Sequence, residues 1–85
     1  MFYVYVLSSE KVDRLYKGLT SDLKRRLKEH NAGSVSATRG YLPWKLLYYE
    51  AFTSKLDAER EERFLKTGKG RERLKYLLSD IRRGG

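Results

Sequence analysis

Two tyrosines that could take part in chemistry lie near the amino terminus, in Tyr3-Val4-Tyr5 and in Tyr16-Lys17-Gly18. A phenol can relay a proton or position a water molecule during hydrolysis. Its pKa of about 10 makes it a weak base near neutrality unless a neighbouring cation favours the ionised form. Tyrosines are also common in strands, where the ring packs in the core. The residues alone leave both interpretations of Tyr5 and Tyr16 open.

Arg26 and His30 follow the second tyrosine in a predicted helix. At about 100° per residue, Arg26 lies roughly 60° round the helix from Leu23 and borders its apolar side. A guanidinium there can present its planar donors to a phosphate, or it can cover apolar surface with its head in water. His30 could move a proton or bond a phosphate oxygen, and it could equally be a satisfied, half-buried histidine.

Glu62 is the carboxylate whose position is hardest to explain by solvation. With Ala58 and Leu65 it follows i, i+4, i+7 spacing, so it lies beside the apolar side of a helix. Glu59 and Glu61 are expected to be solvated charges among arginines. A carboxylate near a buried face needs a partner. Mg²⁺ or Mn²⁺, which favour oxygen ligands, would provide one, and a nearby Arg or Lys would provide another.

Other catalytic motifs are missing from the sequence. It contains no glycine-rich phosphate loop, no His-Glu-x-x-His and no cysteine for a thiolate metal site. A Ser-His-Asp arrangement is disfavoured because His30 has no nucleophile elbow near it. Zinc fingers and recognition-helix modules fit poorly, since predicted strands lead the chain.

The charge of the chain indicates a polyanionic partner. The 85 residues contain 19 Lys plus Arg against 11 Asp plus Glu, a net charge of +8. Such an excess attracts nucleic acid through phosphate contacts, although an ordinary basic protein remains the alternative. A membrane surface fits less well, because the basic residues are spread among acidic ones. Apolar runs too short to cross a membrane and the absence of a leader favour a soluble, cytoplasmic protein.

The elements that position these residues form one predicted domain over residues 1–85. Residues 2–7 and 15–20 read as the strands of a hairpin, with Tyr5 and Tyr16 on one face. A glycine at position 18, inside a strand, indicates that something approaches the backbone closely there.

A first helix is predicted to begin near Ser21 or Asp22 and to end with Gly33 as its left-handed cap. A loop over 33–43 and a strand over 44–52 follow. A capping box at 54–57 opens a second helix.

The rest of the chain is predicted to be helical. The second helix runs to Lys66, and residues 67–70 break it. A third helix carries a stripe that is predicted to be buried, formed by Leu74, Leu77, Leu78 and Ile81. The tail over 82–85 is expected to fray. The order β-β-α-β-α-α implies an α+β domain with a small, mostly antiparallel sheet covered by helices.

The ordered set of motifs resembles the GIY-YIG nuclease family over nearly the whole chain. Tyr3-Val4-Tyr5, ten further residues and Tyr16-Lys17-Gly18 are similar to the paired GIY and YIG motifs. Residues 20–31 resemble the family's first helix, with its Arg and His, and 58–71 resemble the helix that holds its metal-binding glutamate. Within the family, the sequence particularly resembles the small bacterial stand-alone members that are labelled UPF0213 or YhbQ-like. Tyr3 and Lys17 depart from the motifs and could alter how closely DNA approaches.

The resemblance implies the GIY-YIG fold, a three-stranded antiparallel sheet flanked by helices. It also implies an endonuclease that hydrolyses DNA phosphodiester bonds with a single Mg²⁺ or Mn²⁺, in DNA repair or processing. The catalytic positions carried over are Tyr5, Tyr16, Arg26, His30 and Glu62, with Glu62 as the metal ligand. Tyr5 is favoured as the base and Tyr16 as the group that positions water or bonds the phosphate, although these roles could be reversed. The basic residues expected to bind phosphates without reading sequence are Lys17, Lys24, Arg25, Arg39, Lys69 and Arg71.

The preferred DNA structure is left open, with branched or damaged DNA among the candidates. A domain this small has limited surface for specificity, so a homodimer or a partner protein could supply more. A non-catalytic nucleic-acid-binding module of the same fold is the alternative function, and a protein-interaction adaptor is a third.

Overall fold

A three-stranded antiparallel sheet with helices on both faces forms the fold, as seen in a computed structural model that describes residues 1–82. The elements are β1 (Phe2–Ser9), β2 (Leu15–Thr20), α1 (Leu23–Asn31), β3 (Trp44–Phe52), α2 (Lys55–Leu65), α3 (Gly68–Leu77) and the short α4 (Ser79–Arg82). The strand order β2-β1-β3 puts β1 in the centre and leaves β2 at one edge. The predicted fold class and element order are confirmed, with α4 as a short addition.

Alternation along β1 divides the core between the two faces of the sheet. Val4 and Val6 pack in one cluster with Leu65 of α2 and with Leu74 of α3. Tyr5 and Leu7 point to the other face. There they pack with Trp44 and with Leu23 and Leu27 of α1. Tyr5 and Leu7 therefore lie on the face opposite Val4 and Val6, as the alternation predicts, and α1 covers that face.

Side-chain caps and one glycine set the ends of the helices. Asp22 accepts a hydrogen bond from the Arg25 amide before α1, and Ser54 accepts one from the Asp57 amide before α2. Gly33 follows α1 with φ of 77°, a conformation that favours glycine. The predicted caps at both ends of α1 and at the start of α2 are confirmed.

The predicted burial of the third helix is only partly correct. Leu74 and Leu78 are buried, but Leu77 and Ile81 are 42% and 43% exposed. Because α3 ends at Leu77 and the chain restarts as α4, the helical spacing does not continue to Ile81, whereas Leu77 is exposed within α3 itself. The prediction that Leu77 and Ile81 belong to the buried stripe is therefore wrong.

The break between α2 and α3 is shorter than predicted. Gly70 lies inside α3 and presses against the end of α2, where a Cβ atom would collide with the backbone of Phe64 and Leu65. Only residues 66–67 separate the two helices. Most of the predicted frayed tail, residues 83–85, lies outside the described part of the chain. Within residues 1–82 no helix has the length and apolar character needed to span a membrane.

Candidate active site

Tyr5 is held at the centre of the sheet, and Gly18 makes room for its ring. The two residues are partners in the register between β1 and β2. A Cβ atom at position 18 would overlap Cζ and the hydroxyl oxygen of Tyr5. The predicted close approach at Gly18 is therefore confirmed, and what approaches is the phenol ring. Only 1% of Tyr5 is exposed.

His30 links α1 to Tyr5 and to the loop that follows the helix. Its Nε2 lies 2.8 Å from the Tyr5 hydroxyl, and its Nδ1 lies 2.8 Å from the Thr38 Oγ1. Both His30 and Thr38 are fully buried. Each ring nitrogen thus has a partner inside the protein, so His30 is a satisfied histidine, and it is fully buried where a half-buried one was the alternative.

The hydrogen bonds of Thr38 favour one tautomer of His30. The Thr38 hydroxyl donates to the Val35 carbonyl oxygen at 3.4 Å, which makes it the acceptor for the His30 Nδ1–H group. The Nε2 atom then accepts from the Tyr5 hydroxyl. Burial, followed by the charge of Arg26, lowers the pKa of His30 below its usual value of 6.5, in agreement with a neutral ring.

Tyr16 completes an aromatic cluster around His30. Its ring centroid lies 5.0 Å from that of His30, 6.3 Å from that of Tyr5 and 6.4 Å from that of Trp44. Tyr16 is only half-buried, unlike Tyr5. The hairpin therefore brings both tyrosines together on one face, and of the two Tyr16 is the more accessible to water.

Arg26 is anchored beside the Tyr5 hydroxyl. Its Nη1 atom donates to the Glu29 carboxylate at 2.9 Å, and this carboxylate raises the pKa of Arg26. Burial raises the pKa of Tyr5 to about 12, and the nearby Arg26 guanidinium offsets part of that rise. Arg26 therefore combines a fixed positive charge with partial exposure, as a group that stabilises a phosphate must.

Glu62 of α2 acts on the same hydroxyl from another element. Its negative charge is near enough to contribute to the raised pKa of Tyr5. The Glu62 side chain is 23% exposed, and Oε2 lies 3.6 Å from the Lys66 Nζ. The structure thus groups Tyr5, Tyr16 and Arg26 around the Tyr5 hydroxyl, and the charge of Glu62, from α2, reaches that hydroxyl as a smaller influence.

The chemistry of Glu62 suits a metal held mainly by a substrate. Among residues 1–82, no group of three or more His, Cys, Asp or Glu side chains could hold a metal ion. Mg²⁺ usually keeps several waters and binds through one or two carboxylates together with substrate phosphates. A single, partly exposed carboxylate fits that mode of binding, and Lys66 is the competing partner.

The basic residues predicted to bind phosphates do not form one patch. Arg25 lies 3.8 Å from the carboxylate of Glu29, and Lys24 lines a groove of about 490 Å³ beside Tyr3 and Tyr49. Arg39, in the turn after α1, and Lys69, at the start of α3, are both exposed. A second cavity, on the other side of the sheet, is lined by Lys17 and Arg71.

Thr38 is a site residue that sequence reasoning missed. It lies in a loop with several Ser and Thr residues, just before a 3₁₀ turn at Arg39–Tyr41. No spacing rule distinguishes the one hydroxyl in such a loop that is buried against a helix. The indole of Trp44 donates to the Thr38 carbonyl oxygen at 2.8 Å, which fixes the loop against β3.

Glu61 is not the solvated charge that its neighbours in sequence predicted. It accepts a hydrogen bond from Arg73 of α3, and Glu50 of β3 lies beside them at 3.3 Å from the Arg73 Nη2. These three side chains sit on the face opposite Tyr5, because Glu50 is the register partner of Val4. The prediction for Glu61 was wrong because a residue on α3 encloses it.

Comparisons with known proteins agree on one group. A family model described as the GIY-YIG catalytic domain matches residues 1–75. A UPF0213 protein of Streptococcus agalactiae is 46% identical over 76 residues, covering 88% of this chain and 85% of that protein. A UPF0213 protein of Streptococcus pyogenes is 50% identical over 80 residues, covering 91% of this chain and 85% of that protein. The solution NMR structure of a UPF0213 protein of Bacillus halodurans is 37% identical, with a TM-score of 0.56 and coverage of 91% and 85%.

Proposed function

The chain belongs to the GIY-YIG family, and on that premise we propose that it is an endonuclease that hydrolyses DNA phosphodiester bonds with one divalent ion, Mg²⁺ or Mn²⁺. The observation that carries the proposal is the environment of one hydroxyl. The Tyr5 hydroxyl is hydrogen-bonded to His30, and the charges of Arg26 and Glu62 act on its pKa. A structural tyrosine needs a hydrogen-bond partner, but it does not need an arginine and a carboxylate from two different helices.

Arg26 would stabilise the phosphate. Its guanidinium keeps its charge and is held in one place by Glu29, so it meets the growing negative charge on the pentacovalent phosphorus without reorganisation. Glu62 would hold the divalent ion, with waters and the substrate completing its coordination. When bound, the ion supplies charge neutralisation and stabilises the leaving oxygen.

The burial of Tyr5 favours a division of labour between the tyrosines opposite to that preferred from sequence. With a pKa of about 12, Tyr5 stays protonated near neutrality and donates to His30. Tyr16 is half-buried and lies beside the same histidine, so it can contact the attacking water. We assign to Tyr16 the contact with water and to Tyr5 the positioning of Arg26 and of the catalytic face of the sheet.

A cleavage assay tests the proposal. Branched, nicked, flapped and single-stranded DNA should be incubated with Mg²⁺, with Mn²⁺ or with a chelator. We expect cleavage that needs the metal and that Glu62→Gln reduces by at least about a hundredfold, the usual scale for loss of a group that orients or binds the ion. Glu59→Gln, on the same helix, is the matched control.

Measuring DNA binding alongside cleavage distinguishes an endonuclease from a protein that only binds nucleic acid. Glu62→Gln should still bind DNA, because the basic residues are unchanged. Salt-sensitive binding without cleavage under any metal would indicate a non-catalytic nucleic-acid-binding module. Cleavage by Glu62→Gln at the rate of the wild type would remove Glu62 from the mechanism.

A further inference from the structure

Lys17 occupies a motif position that the proposed site does not use. It is the register partner of Val6, which packs toward α2 and α3, so its side chain points away from the face that carries Tyr16 and Gly18. Because β2 is an edge strand, Lys17 stands just behind the candidate active site, round the edge of the sheet.

A cavity of about 250 Å³ opens at that edge and is lined largely by cations. The charged residues in its lining are Asp13, Arg14, Lys17, Arg71 and Lys75. Lys17 comes from β2, Arg71 and Lys75 from α3, and Arg14 from the hairpin loop. Among the described residues of the lining, cations therefore outnumber carboxylates, and they come from three separate parts of the chain.

Neighbouring positive charges disfavour the protonated form of Lys17 in this cavity. Burial, and then the charges of Arg71 and Lys66, lowers the pKa of Lys17. Arg71 is held in place, because its Nη1 atom donates to the Lys66 carbonyl oxygen at 3.1 Å. The Arg14 guanidinium lies 4.2 Å from the centroid of the Tyr41 ring, which packs in the cluster of the Tyr5 face, so the charge of Arg14 is directed toward that face and away from Lys17. The charges of Lys17, Arg71 and Lys75 in the lining therefore give this cavity an excess of positive charge, which attracts an anion.

We propose that this cavity binds the terminal phosphate monoester of a nucleic-acid strand whose internal bond is cleaved on the other side of β2. The substrate class is therefore a phosphorylated strand end, and the inference rests on the proposed function. A monoester carries a charge of about −1.5 to −2 at neutral pH and offers three strong acceptor oxygens. An internal phosphodiester carries a single negative charge, and the strand continues from it in both directions. A strand end continues in one direction only, so its phosphate can turn round the edge of β2 into the cavity.

Binding without metal tests this proposal independently of cleavage. Fluorescent single strands of one sequence, carrying a 5′-phosphate, a 3′-phosphate or neither, should be titrated with wild-type protein in a chelator at fixed ionic strength. We expect one phosphorylated strand to bind about tenfold more tightly than the unphosphorylated one, as charge-assisted hydrogen bonds allow. The two phosphorylated arms identify which end the cavity takes.

Variants of the cavity locate the effect. Lys75→Gln and Lys17→Met should each reduce the preference for the phosphorylated strand, while Lys55→Gln on α2 should keep it. Lys75 is exposed, so its substitution tests the cavity even if Lys17→Met does not fold. Inorganic phosphate should compete for the phosphorylated strand and raise the pKa of Lys17, measured by NMR.

Two results would overturn the proposal. One is equal affinity for the three strands, and the other is a preference that survives both cavity substitutions. Neither would affect the endonuclease assignment, because no metal is present and no bond is cleaved. A protein that shows the preference but never cleaves DNA would retain the cavity assignment and lose the catalytic one.

Discussion

The Tyr5 hydroxyl lies 2.8 Å from the His30 Nε2 atom, and both side chains are buried. Thr38 engages the other ring nitrogen, so the imidazole is fixed at both ends. This bond ties β1 to α1 directly beneath Arg26. It follows that the position of the candidate active site depends on a buried polar network whose members cannot be removed singly without cost.

Tyr5→Phe should destabilise the protein, because it leaves the buried His30 Nε2 atom without a donor. The cost of such an orphaned group is about 1–3 kcal/mol, which corresponds to a fall in Tm of several degrees for a domain of this size. Thermal unfolding followed by circular dichroism measures it. Tyr16→Phe, at a half-buried position, should lower Tm less but reduce cleavage more. If Tyr5→Phe reduced cleavage more than Tyr16→Phe, the division of roles between the tyrosines would be contradicted.

The lowered pKa of His30 predicts that stability falls on acidification. Its folded-state pKa lies below the unfolded value of about 6.5, so the unfolded state binds more protons between the two values. Stability conferred by the neutral ring is therefore present above about pH 6.5 and is lost as pH falls through the folded-state value. Urea unfolding between pH 5 and 8 should show this slope in the wild type and a weaker slope in His30→Gln. Parallel curves for the two proteins would show that His30 is not held neutral.

Much of the candidate site was predictable because it is encoded in local spacing. Strand alternation placed Tyr5 and Tyr16 on one face, and helical spacing put Glu62 beside a buried stripe. The presence of a glycine inside a strand also predicted a close approach at Gly18, and the approaching group is the ring of Tyr5. Each of these inferences depends on residues that are near one another in sequence.

The features that were missed depend on contacts between distant segments. Thr38 is buried because its loop folds back over α1 to reach His30, and no local pattern records that return. Glu61 is enclosed only because Arg73 arrives from α3. The exposure of Ile81 goes with the end of α3 at Leu77, which the helical spacing of the apolar residues does not mark.

Gly18→Ala should be strongly destabilising, because the added methyl group must displace the ring of Tyr5. A cost of about 2 kcal/mol or more is expected for overpacking at a site with no free space. Gly68→Ala is the matched control, since its Cβ atom would meet nothing within 4 Å. A double-mutant cycle with Tyr5→Ala sharpens the test. The cost of Gly18→Ala should largely vanish once the ring is absent, whereas additive costs would show that the two residues do not compete for the same space.

Glu50→Gln should stabilise the protein at neutral pH and have little effect at pH 4. Burial, and then the neighbouring Glu61, raises the pKa of Glu50, although Arg73 opposes the change. Glu50 Oε1 is buried and receives no hydrogen bond from the described residues, and the neighbouring Glu61 carboxylate favours a protonated Glu50 that can donate to it. The folded state thus holds this proton more tightly than the unfolded state does.

The sign of the pH dependence follows from that difference. Stability provided by protonated Glu50 is present below about pH 4.5, the unfolded value, and is lost as pH rises through the higher folded-state value. A neutral glutamine at position 50 keeps a hydrogen-bond donor there and does not ionise as pH rises. The stability of Glu50→Gln relative to the wild type should therefore increase with pH, toward a plateau on the order of 1 kcal/mol. Urea unfolding at several pH values measures it, with Glu72→Gln as the exposed control on α3. A Glu50→Gln variant that is less stable than the wild type at pH 7 would mean that the ion pair with Arg73 outweighs the repulsion from Glu61.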